Sequence, residues 1–321
     1  MIKNNNILIT GGAGFIGSHL FENLLSQDNY IVIIDNFNDL YIGKEKNIEE
    51  VTNNYEKSKD YDIIRSDLLN ISTFKRIKCE IDIVFHIAAI PGVRYSIQNA
   101  TQVTKNNIEG SINVFEYVLR NNIKKVVFAS SSSVYGNPIY TPVDEEHPKN
   151  PISPYAVSKL CCEFYADYYF RENELPITSL RFYTVYGPRG RPDMAIRKFF
   201  NKIIQNQPIK IYGDGDQLRD FTYISDIVSG LLLAGEKKTS SGEVFNLGCS
   251  SPISVNQLIE KMYSIVNKPK NIDYIEKQKG DVDITHADIK KAKKMIDYQP
   301  QINIDEGLQK TYDWMIKNNE E

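Results

Sequence analysis

Short apolar runs rich in β-branched residues alternate with amphipathic segments through the first half of this chain, and this alternation constrains the fold more than any other feature. The runs long enough to be strands lie at 7–10, 30–35, 61–65, 82–86, 125–129 and 176–181, and helical periodicity is strongest at 15–25, 101–120 and 154–171. The runs are almost continuously apolar, which is typical of parallel strands covered on both faces. The sequence therefore predicts an α/β fold with a doubly wound parallel sheet of the Rossmann type and ligands at the carboxyl ends of its strands.

The pattern changes after about residue 181. A loop at 187–192 precedes a predicted helix at 193–205, a short strand at 208–212, a strand at 243–247 and helices at 255–266 and 304–315. We found neither an internal repeat nor a low-complexity linker in the sequence. We therefore predict a first domain over 1–180, which a segment near 243–250 rejoins, and a smaller mixed α/β lobe over 181–321.

Charge and cysteine usage exclude several classes of protein. The 321 residues carry a formal net charge of -3, so there is no basic excess to attract nucleic acid. No apolar run approaches the roughly 20 residues of a membrane span, and the N-terminus enters a strand without the apolar segment of a signal peptide. The four cysteines show no Cys-x-x-Cys spacing. We expect no metal site, no membrane partner and a location in the reducing cytoplasm.

A glycine-rich turn joins the first predicted strand to the first predicted helix. Gly11, Gly14 and Gly17 are spaced so that the backbone can turn tightly and approach a ligand closely, while Phe15 and Ile16 begin the helix. The N-terminus of a helix in this position receives the pyrophosphate of a dinucleotide. The turn follows a strand and opens an apolar helix, so its context favours a cofactor site over a plain strand–helix connection.

Side chains after the next three strands fit the rest of a dinucleotide. Asp35 ends the second strand, where a carboxylate accepts hydrogen bonds from the adenosine ribose and repels a 2′-phosphate, so NAD is favoured over NADP. Asn36 follows it. Asp67, after the third strand, is either an adenine contact or a solvated turn residue. Ala88 and Ala89 follow the fourth strand and leave room for the ligand.

An acid–base pair follows the fifth strand. Tyr155 and Lys159 are four residues apart, so they share one face of a helix that Ser153 and Pro154 are suited to begin. That strand ends in a run of serines starting at Ser130. A free phenol has a pKa near 10, and we expect the Lys159 ammonium and a positive nicotinamide ring to lower it. The sequence thus predicts a tyrosine that acts as a base.

Together these motifs resemble the extended short-chain dehydrogenase/reductase family, in its nucleotide-sugar epimerase and dehydratase branch. The matching stretches are GGAGFIG at 11–17, DN at 35–36, HIAA at 86–89, NIEG at 107–110, SSSVYG at 131–136, the pair at 155 and 159, and RDFTY at 219–223. The resemblance implies that Tyr155 is the catalytic base, Lys159 holds the nicotinamide ribose and Ser131 lies beside the base. It also places Asn107 among the NAD-binding residues.

Within this branch, the stretches at 35–39, 91–96 and 182–195 look most like UDP-glucuronate 4-epimerases, mainly through Thr184 and the residues after Arg191. This resemblance implies C4 inversion of a UDP-hexuronic acid, UDP-glucuronate to UDP-galacturonate, through a 4-keto intermediate. Arg219 and Asp281 match positions near the UDP moiety, although a surface turn fits Asp281 equally well. Arg94 is either a substrate contact or a structural ion-pair partner.

The serines at 132 and 133 help to choose among related reactions. Dehydratases of the branch have Asp-Glu there, so elimination of water is disfavoured. We expect Ser132, Ser133 and Thr184 to hold the substrate carboxylate out of line with the C4 carbonyl, because a 4-keto uronate otherwise loses carbon dioxide; the serines alternatively cap backbone groups. Arg191 is either a uronate or diphosphate contact or a solvated charge.

Three other functions remain open from the sequence. One is a UDP-glucose or UDP-N-acetylglucosamine 4-epimerase, although glucose/galactose epimerases of the family usually have asparagine where this chain has Thr184. Another is a UDP-glucuronate decarboxylase, because a 4-keto uronate loses carbon dioxide readily. A non-enzymatic NAD-binding protein usually lacks a catalytic group, whereas Ser131, Tyr155 and Lys159 are all present.

The helix after Tyr155 is rich in aromatic residues, at 164, 165, 168 and 169. The simplest interpretation is a buried stripe. The family resemblance instead implies that this helix and the one near 101–120 form a homodimer interface as a four-helix bundle.

Overall fold

The computed structural model describes residues 2–276 and 282–318, and strands and helices alternate along most of that length. The strands are β1 (Asn6–Thr10), β2 (Tyr30–Asp35), β3 (Tyr61–Arg65), β4 (Ile83–His86), β5 (Lys125–Ser131), β6 (Ile177–Phe182), β7 (Thr184–Tyr186), β8 (Ile209–Tyr212), β9 (Leu218–Arg219), β10 (Phe221–Tyr223), β11 (Val244–Leu247), β12 (Ile253–Ser254) and β13 (Ile272–Ile275). The helices are α1 (Phe15–Leu25), α2 (Lys44–Thr52), α3 (Val93–Gln98), α4 (Ala100–Thr104), α5 (Gly110–Arg120), α6 (Pro154–Asn173), α7 (Ala195–Ile204), α8 (Ile224–Glu236), α9 (Val255–Val266), α10 (Lys290–Ile296) and α11 (Ile304–Lys317).

Seven parallel strands form the central sheet in the order β3-β2-β1-β4-β5-β6-β11. The chain begins in the middle of the sheet, winds outward to β3 and then crosses back beyond β1 to β4, which is the doubly wound arrangement predicted from the sequence. Strand β11 pairs in parallel with β6, with Val244 opposite Ser179. The predicted return of the segment near 243–250 to the first sheet is therefore confirmed.

Successive residues of β1 belong to different cores. Ile7 and Ile9 pack into a cluster that contains Phe21 of α1, and Leu8 packs on the opposite face into a cluster that contains Phe115 of α5. Side chains alternate across a strand, so a strand buried on both faces must be apolar at every position. This two-sided burial is the physical reason for the continuous apolar runs.

Helix α6 begins as predicted, but much of its aromatic face does not pack inside the protein. The Ser153 hydroxyl accepts the Ala156 N–H at 3.2 Å, and Pro154 occupies the first turn. The side chains at 164, 165 and 168 are 66%, 37% and 52% exposed. The predicted buried stripe is therefore wrong for these three, and only Tyr169, bonded to Glu116 at 2.6 Å, is buried.

The predicted helix over 101–120 is interrupted by a π-helical turn at Lys105–Glu109, which lies between α4 and α5. Helices α2, α3, α8 and α10 were not predicted. For α8 the reason is its composition, because it is apolar on most sides and contains glycine, and so lacks the one-sided pattern by which helices are identified.

Three small strand pairs follow the main sheet: β7 with β10 and β8 with β13 are parallel, and β9 with β12 is antiparallel. They carry residues of the second half toward the carboxyl ends of the central strands. None of the helices within 2–276 and 282–318 is long and apolar enough to cross a membrane. The same residues contain no cluster of His, Cys, Asp and Glu suited to hold a metal ion.

Candidate active site

The glycine turn between β1 and α1 leaves no room for larger side chains. Gly11 has a φ of +75°, and a methyl group on it would lie 2.8 Å from the backbone of Ala88. A methyl group on Gly17 would overlap the carbonyl oxygen of Gly11. Gly14, with extended backbone, is the residue before α1, and the first turn of this helix lines the cavity. This geometry is a cradle for a pyrophosphate.

Asp35 lies at the carboxyl end of β2, close to this cradle. Its two carboxylate oxygens accept the N–H groups of Ala13 at 3.1 Å and Phe37 at 2.8 Å. Burial raises the pKa of this carboxyl group, and the two N–H groups and the Lys44 ammonium oppose the rise. Each oxygen retains a second lone pair, so the carboxylate can also accept ribose hydroxyls, as the sequence predicted.

Neighbouring side chains complete this end of the site. Asn36 donates to Asp67 at 2.8 Å, which holds two predicted cofactor contacts together on the wall of the cavity. Tyr41, which sequence reasoning missed, accepts the Phe15 N–H at 3.0 Å, and burial raises the pKa of its phenol to about 12. The Tyr41 hydroxyl therefore occupies one of the donors that a pyrophosphate would use. Motif spacing gave no signal for Tyr41, because it comes from the loop before α2.

Tyr155 and Lys159 project from the first turns of α6 toward the end of β5, as predicted. The Lys159 ammonium donates to the Ala129 carbonyl at 2.7 Å and lies 4.9 Å from the centre of the Phe128 ring. Burial lowers the pKa of Lys159 to about 8. It raises the pKa of Tyr155, against the effects of its hydrogen bond with Ser131 and of the Arg191 charge. The protein alone thus keeps Tyr155 a neutral phenol, and the groups that oppose the rise are Ser131 and Arg191 rather than Lys159, which the sequence had predicted.

The serine run turns at the end of β5 and forms a short 3-10 segment. Ser131 accepts both the N–H of Ser133 at 3.2 Å and its hydroxyl at 2.9 Å. Since Ser131 accepts these bonds, its own proton is available to Tyr155. The capping role considered for Ser132 and Ser133 falls to Ser131 instead, and all three serines line the cavity.

Two buried polar residues support the site from behind. The Asn107 side chain bonds the N–H and the carbonyl of Ile90 at 2.7 and 3.2 Å and the Ser158 hydroxyl at 3.0 Å. The Asn107 amide therefore bonds protein groups behind the cavity wall that contains Ala88, and Asn107 does not itself line the cavity. The sequence had predicted a direct contact between Asn107 and NAD. His86 joins Thr10 and Ser111 at 2.7 and 2.8 Å, and burial lowers its pKa to about 3.

Residues of the second half form the opposite wall. Thr184 begins β7 beside the carboxyl ends of the sheet, and Arg191 forms two hydrogen bonds to Asp193, at 3.0 and 2.5 Å. The guanidinium of Arg94, from α3 of the first half, lies 4.7 Å from the centre of the Tyr212 ring.

Arg219 lies in β9 on the same wall and donates to the Leu218 carbonyl at 2.9 Å. Asp281, the other predicted UDP contact, lies outside the described residues. Lys198 and Lys210 also line the cavity, although sequence reasoning missed them. In β8 the exposed Lys210 stands between the buried residues Ile209 and Ile211. This alternation in the sequence could have indicated that Lys210 faces away from the core.

The two walls enclose one cavity of about 720 Å³, lined by both Asp35 and Arg219. That volume lies in the upper part of the range for small-molecule sites, roughly 300 to 1,000 Å³. The glycine cradle, the carboxylate of Asp35 at the ribose position and the N-terminus of α1 together fit NAD. The basic side chains of the other wall suit an anionic second ligand.

Comparisons with known proteins agree with this geometry. Residues 7–248 match the model of the NAD dependent epimerase/dehydratase family. The UDP-glucuronate 4-epimerase of Thermodesulfobacterium geofontis is 40% identical over 97% of this chain and 96% of its own. The structure of a UDP-glucuronic acid 4-epimerase from Bacillus cereus, in complex with UDP-glucuronic acid and NAD, has a TM-score of 0.90 and 36% identity over 98% of this chain and 99% of that one.

A relative with a different sugar is equally similar in fold. The structure of a UDP-N-acetylglucosamine 4-epimerase from Methanobrevibacter ruminantium M1, in complex with UDP-N-acetylmuramic acid, has a TM-score of 0.91 and 33% identity. The match covers 99% of this chain and 100% of that one. The overall fold therefore does not separate uronate from N-acetylated substrates.

Proposed function

The chain belongs to the NAD dependent epimerase/dehydratase family, and we propose that it inverts C4 of a UDP-hexuronic acid, interconverting UDP-glucuronate and UDP-galacturonate. Its cofactor is NAD, and UDP-sugar 4-epimerisation is the activity named for both of the solved relatives described above. In this proposal residues 1–180, with the returning β11, hold NAD, and residues 181–321 form the nucleotide-sugar lobe. The four free cysteines accord with the reducing cytoplasm that we propose as its location.

In this mechanism Tyr155 acts as the phenolate, a form that the positive nicotinamide ring of bound NAD would favour over the neutral phenol of the protein alone. The phenolate takes the proton of the sugar 4-hydroxyl, while the Ser131 hydroxyl donates a hydrogen bond to the phenolic oxygen. The glycine cradle and Asp35 would hold NAD, which would supply the group that exchanges hydride with C4. The Lys159 ammonium holds the nicotinamide ribose. To do so it either gives up its hydrogen bond to the Ala129 carbonyl or keeps that bond and donates a second proton to the ribose. Tyr155 then returns its proton after the 4-keto sugar has turned its other face toward the cofactor.

The position of Arg191 is the observation that carries the uronate proposal. Arg191 lines the same cavity as Tyr155 and Ser131, so a cation borders the region in which the reacting sugar carbon must lie. A uronate carries its carboxylate on C5, next to C4. Arg191 is held by Asp193, an exposed residue that a substrate carboxylate can displace. A neutral hexose offers no charge to this arginine.

The hydroxyl groups around Tyr155 support inversion without loss of water or carbon dioxide. Ser132 and Ser133 occupy the positions at which a dehydratase needs acids, and a hydroxyl group cannot supply a proton as a carboxylic acid does. With Thr184 they offer short hydrogen bonds that can hold the substrate carboxylate away from the π system of the C4 carbonyl.

Two competing activities give different products from the same assay. Purified protein is incubated separately with UDP-glucuronate, UDP-glucose and UDP-N-acetylglucosamine, and the products are resolved by chromatography. UDP-galacturonate from the first substrate supports the proposal. A UDP-pentose would show decarboxylation, and turnover of the neutral sugars alone would refute the uronate assignment.

Substitutions separate the roles of the base and the arginine. Tyr155→Phe should abolish turnover while NAD still co-purifies. Arg191→Gln should raise the KM for UDP-glucuronate at least tenfold more than the KM for any neutral UDP-sugar that the protein accepts. Equal effects on both would show that Arg191 does not bind the uronate group.

We also propose that the exposed side chains of Phe164, Tyr165 and Tyr168 on α6 form part of a homodimer interface. Large aromatic side chains in a contiguous exposed patch mark protein contacts. Tyr168→Glu should yield monomers in light scattering after gel filtration. Tyr274→Glu, at an aromatic residue that is 56% exposed elsewhere, is the matched control and should leave the oligomeric state unchanged.

A further inference from the structure

A buried ion pair lies directly behind the acid–base residues. Arg181 on β6 donates from Nε to Glu163 Oε1 at 2.9 Å and from Nη2 to Oε2 at 2.7 Å. The side chains are 3% and 6% exposed, so the pair is shielded from water. Two parallel hydrogen bonds fix the orientation of a guanidinium as well as its distance.

The pair joins the elements that carry the active groups. Arg181 is the register partner of Ser130, whose hydroxyl donates to Glu163 at 2.5 Å. Ser130 immediately precedes Ser131, and Glu163 lies one helical turn beyond Lys159 on α6. The ends of β5 and β6 and the first half of α6 are therefore tied to one carboxylate.

A second set of bonds extends from Arg181 to the serine turn. Its Nη1 donates to the Tyr135 hydroxyl at 2.7 Å, and that hydroxyl donates to the Asn246 side chain at 2.7 Å. Tyr135 closes the 3-10 segment that contains Ser132 and Ser133. Asn246 belongs to β11, so the network also reaches the returning strand.

Stability alone does not account for this arrangement, since well-packed apolar residues often replace a buried ion pair at no cost. What the pair supplies is directional constraint, and catalytic groups must be held within about 0.5 Å of their productive positions. We propose that the Glu163–Arg181 pair is a positioning element that sets the Ser131 hydroxyl against Tyr155 and Lys159. Neither side chain lines the cavity, so both act through the residues that they hold.

This inference rests on the proposed epimerase activity, and its test compares Glu163→Gln with wild type on whichever UDP-sugar wild type converts. A misplacement of about 1 Å costs on the order of 100-fold in rate. We expect kcat to fall 10- to 100-fold, the KM for the UDP-sugar to change less than twofold, and NAD to co-purify as in wild type. Arg181→Lys keeps the charge but loses the two-pronged geometry, so we expect the same loss.

Asp226→Asn is the matched control. Asp226 is a buried carboxylate on α8 that accepts the N–H groups of Gln301 and Ile302 at 3.0 and 3.2 Å. Its substitution should lower stability and leave kcat unchanged. An unchanged kcat in Glu163→Gln, or an equal loss in Asp226→Asn, would overturn the proposal.

A crystal structure of Glu163→Gln gives a readout that does not depend on turnover. We expect the Ser131 hydroxyl oxygen to move away from the Tyr155 phenol relative to the wild-type crystal structure. If wild type converts no UDP-sugar, the proposed function fails, and this comparison alone decides the positioning role. Identical active-site positions in the two crystals would overturn it, and Arg181→Lys is compared in the same way if Glu163→Gln does not fold.

Discussion

Replacing Lys159 by methionine should stabilise the cofactor-free protein at pH 7 while abolishing turnover. The Lys159 ammonium is buried, and its pKa falls from 10.5 to about 8. The unfolded chain therefore keeps this proton up to about pH 10.5, whereas the folded chain releases it near pH 8. Below pH 8 the folded state bears the full cost of the buried charge, and the cost disappears as the pH rises toward 10.5.

The size of the effect follows from the pKa shift. A shift of about 2.5 units at roughly 1.4 kcal/mol each corresponds to about 3 kcal/mol at pH 7 and only about 1.4 kcal/mol at pH 9.5. Methionine removes this cost but leaves the Ala129 carbonyl without its 2.7 Å hydrogen bond, a loss of about 1 to 2 kcal/mol. We therefore expect Lys159→Met to be about 1 to 2 kcal/mol more stable at pH 7 and no more stable than wild type at pH 9.5.

Urea unfolding of both proteins, stripped of NAD, at pH 7 and pH 9.5 measures this difference. Lys125 is a matched control, because burial also lowers its pKa to about 8 and it lies at the opposite end of β5. Lys125→Met should show a similar dependence on pH and should retain turnover. A difference between Lys159→Met and wild type that stays constant between the two pH values would refute the reasoning.

The remaining predictions concern the cradle, a helix cap and two histidines, of which His86 is buried and His19 is half-buried. Gly17→Ala should prevent NAD from co-purifying, because the new methyl group overlaps the Gly11 carbonyl; chromatography of the released cofactor measures this. Ser153→Ala should lower the free energy of unfolding by about 1 kcal/mol, as loss of an N-cap does, and urea titration at pH 7 measures it. Burial lowers the pKa of both His19 and His86 from 6.5 to about 3. As the pH falls below 6.5, both histidines take up protons in the unfolded state but not in the folded state, so each histidine should lower the free energy of unfolding by about 3 kcal/mol by pH 4. His19→Gln should therefore lose less stability than wild type between pH 7 and pH 4 in urea titrations.

The sequence predicted the central sheet well because a strand that is buried on both faces has apolar residues at nearly every position. The ranges 30–35, 61–65 and 255–266 match β2, β3 and α9 residue for residue. The error on α6 has a physical cause as well. Periodicity shows that aromatic residues share a face of a helix, but it does not show what covers that face.

Long-range polar contacts could not be predicted in the same way. Glu163, four residues after Lys159, is indistinguishable in sequence from a solvated helical carboxylate, and only the fold brings Arg181 to it. The loop that carries Tyr41 to the first turn of α1 likewise follows no short motif. The glycines at 11, 14 and 17 were predictable because their role depends on the local backbone. Glu163 and Tyr41 were not, because their roles depend on residues that are distant in the sequence.

The position of β11 has a consequence for the order in which the chain acquires its structure. During synthesis the first six strands are complete well before Val244 is made, and until then β6 is an unpaired edge of the sheet. An open edge strand is a site for pairing with other chains. A fragment that stops near residue 180 should therefore aggregate, and the nascent protein must protect this edge until the second half has emerged from the ribosome.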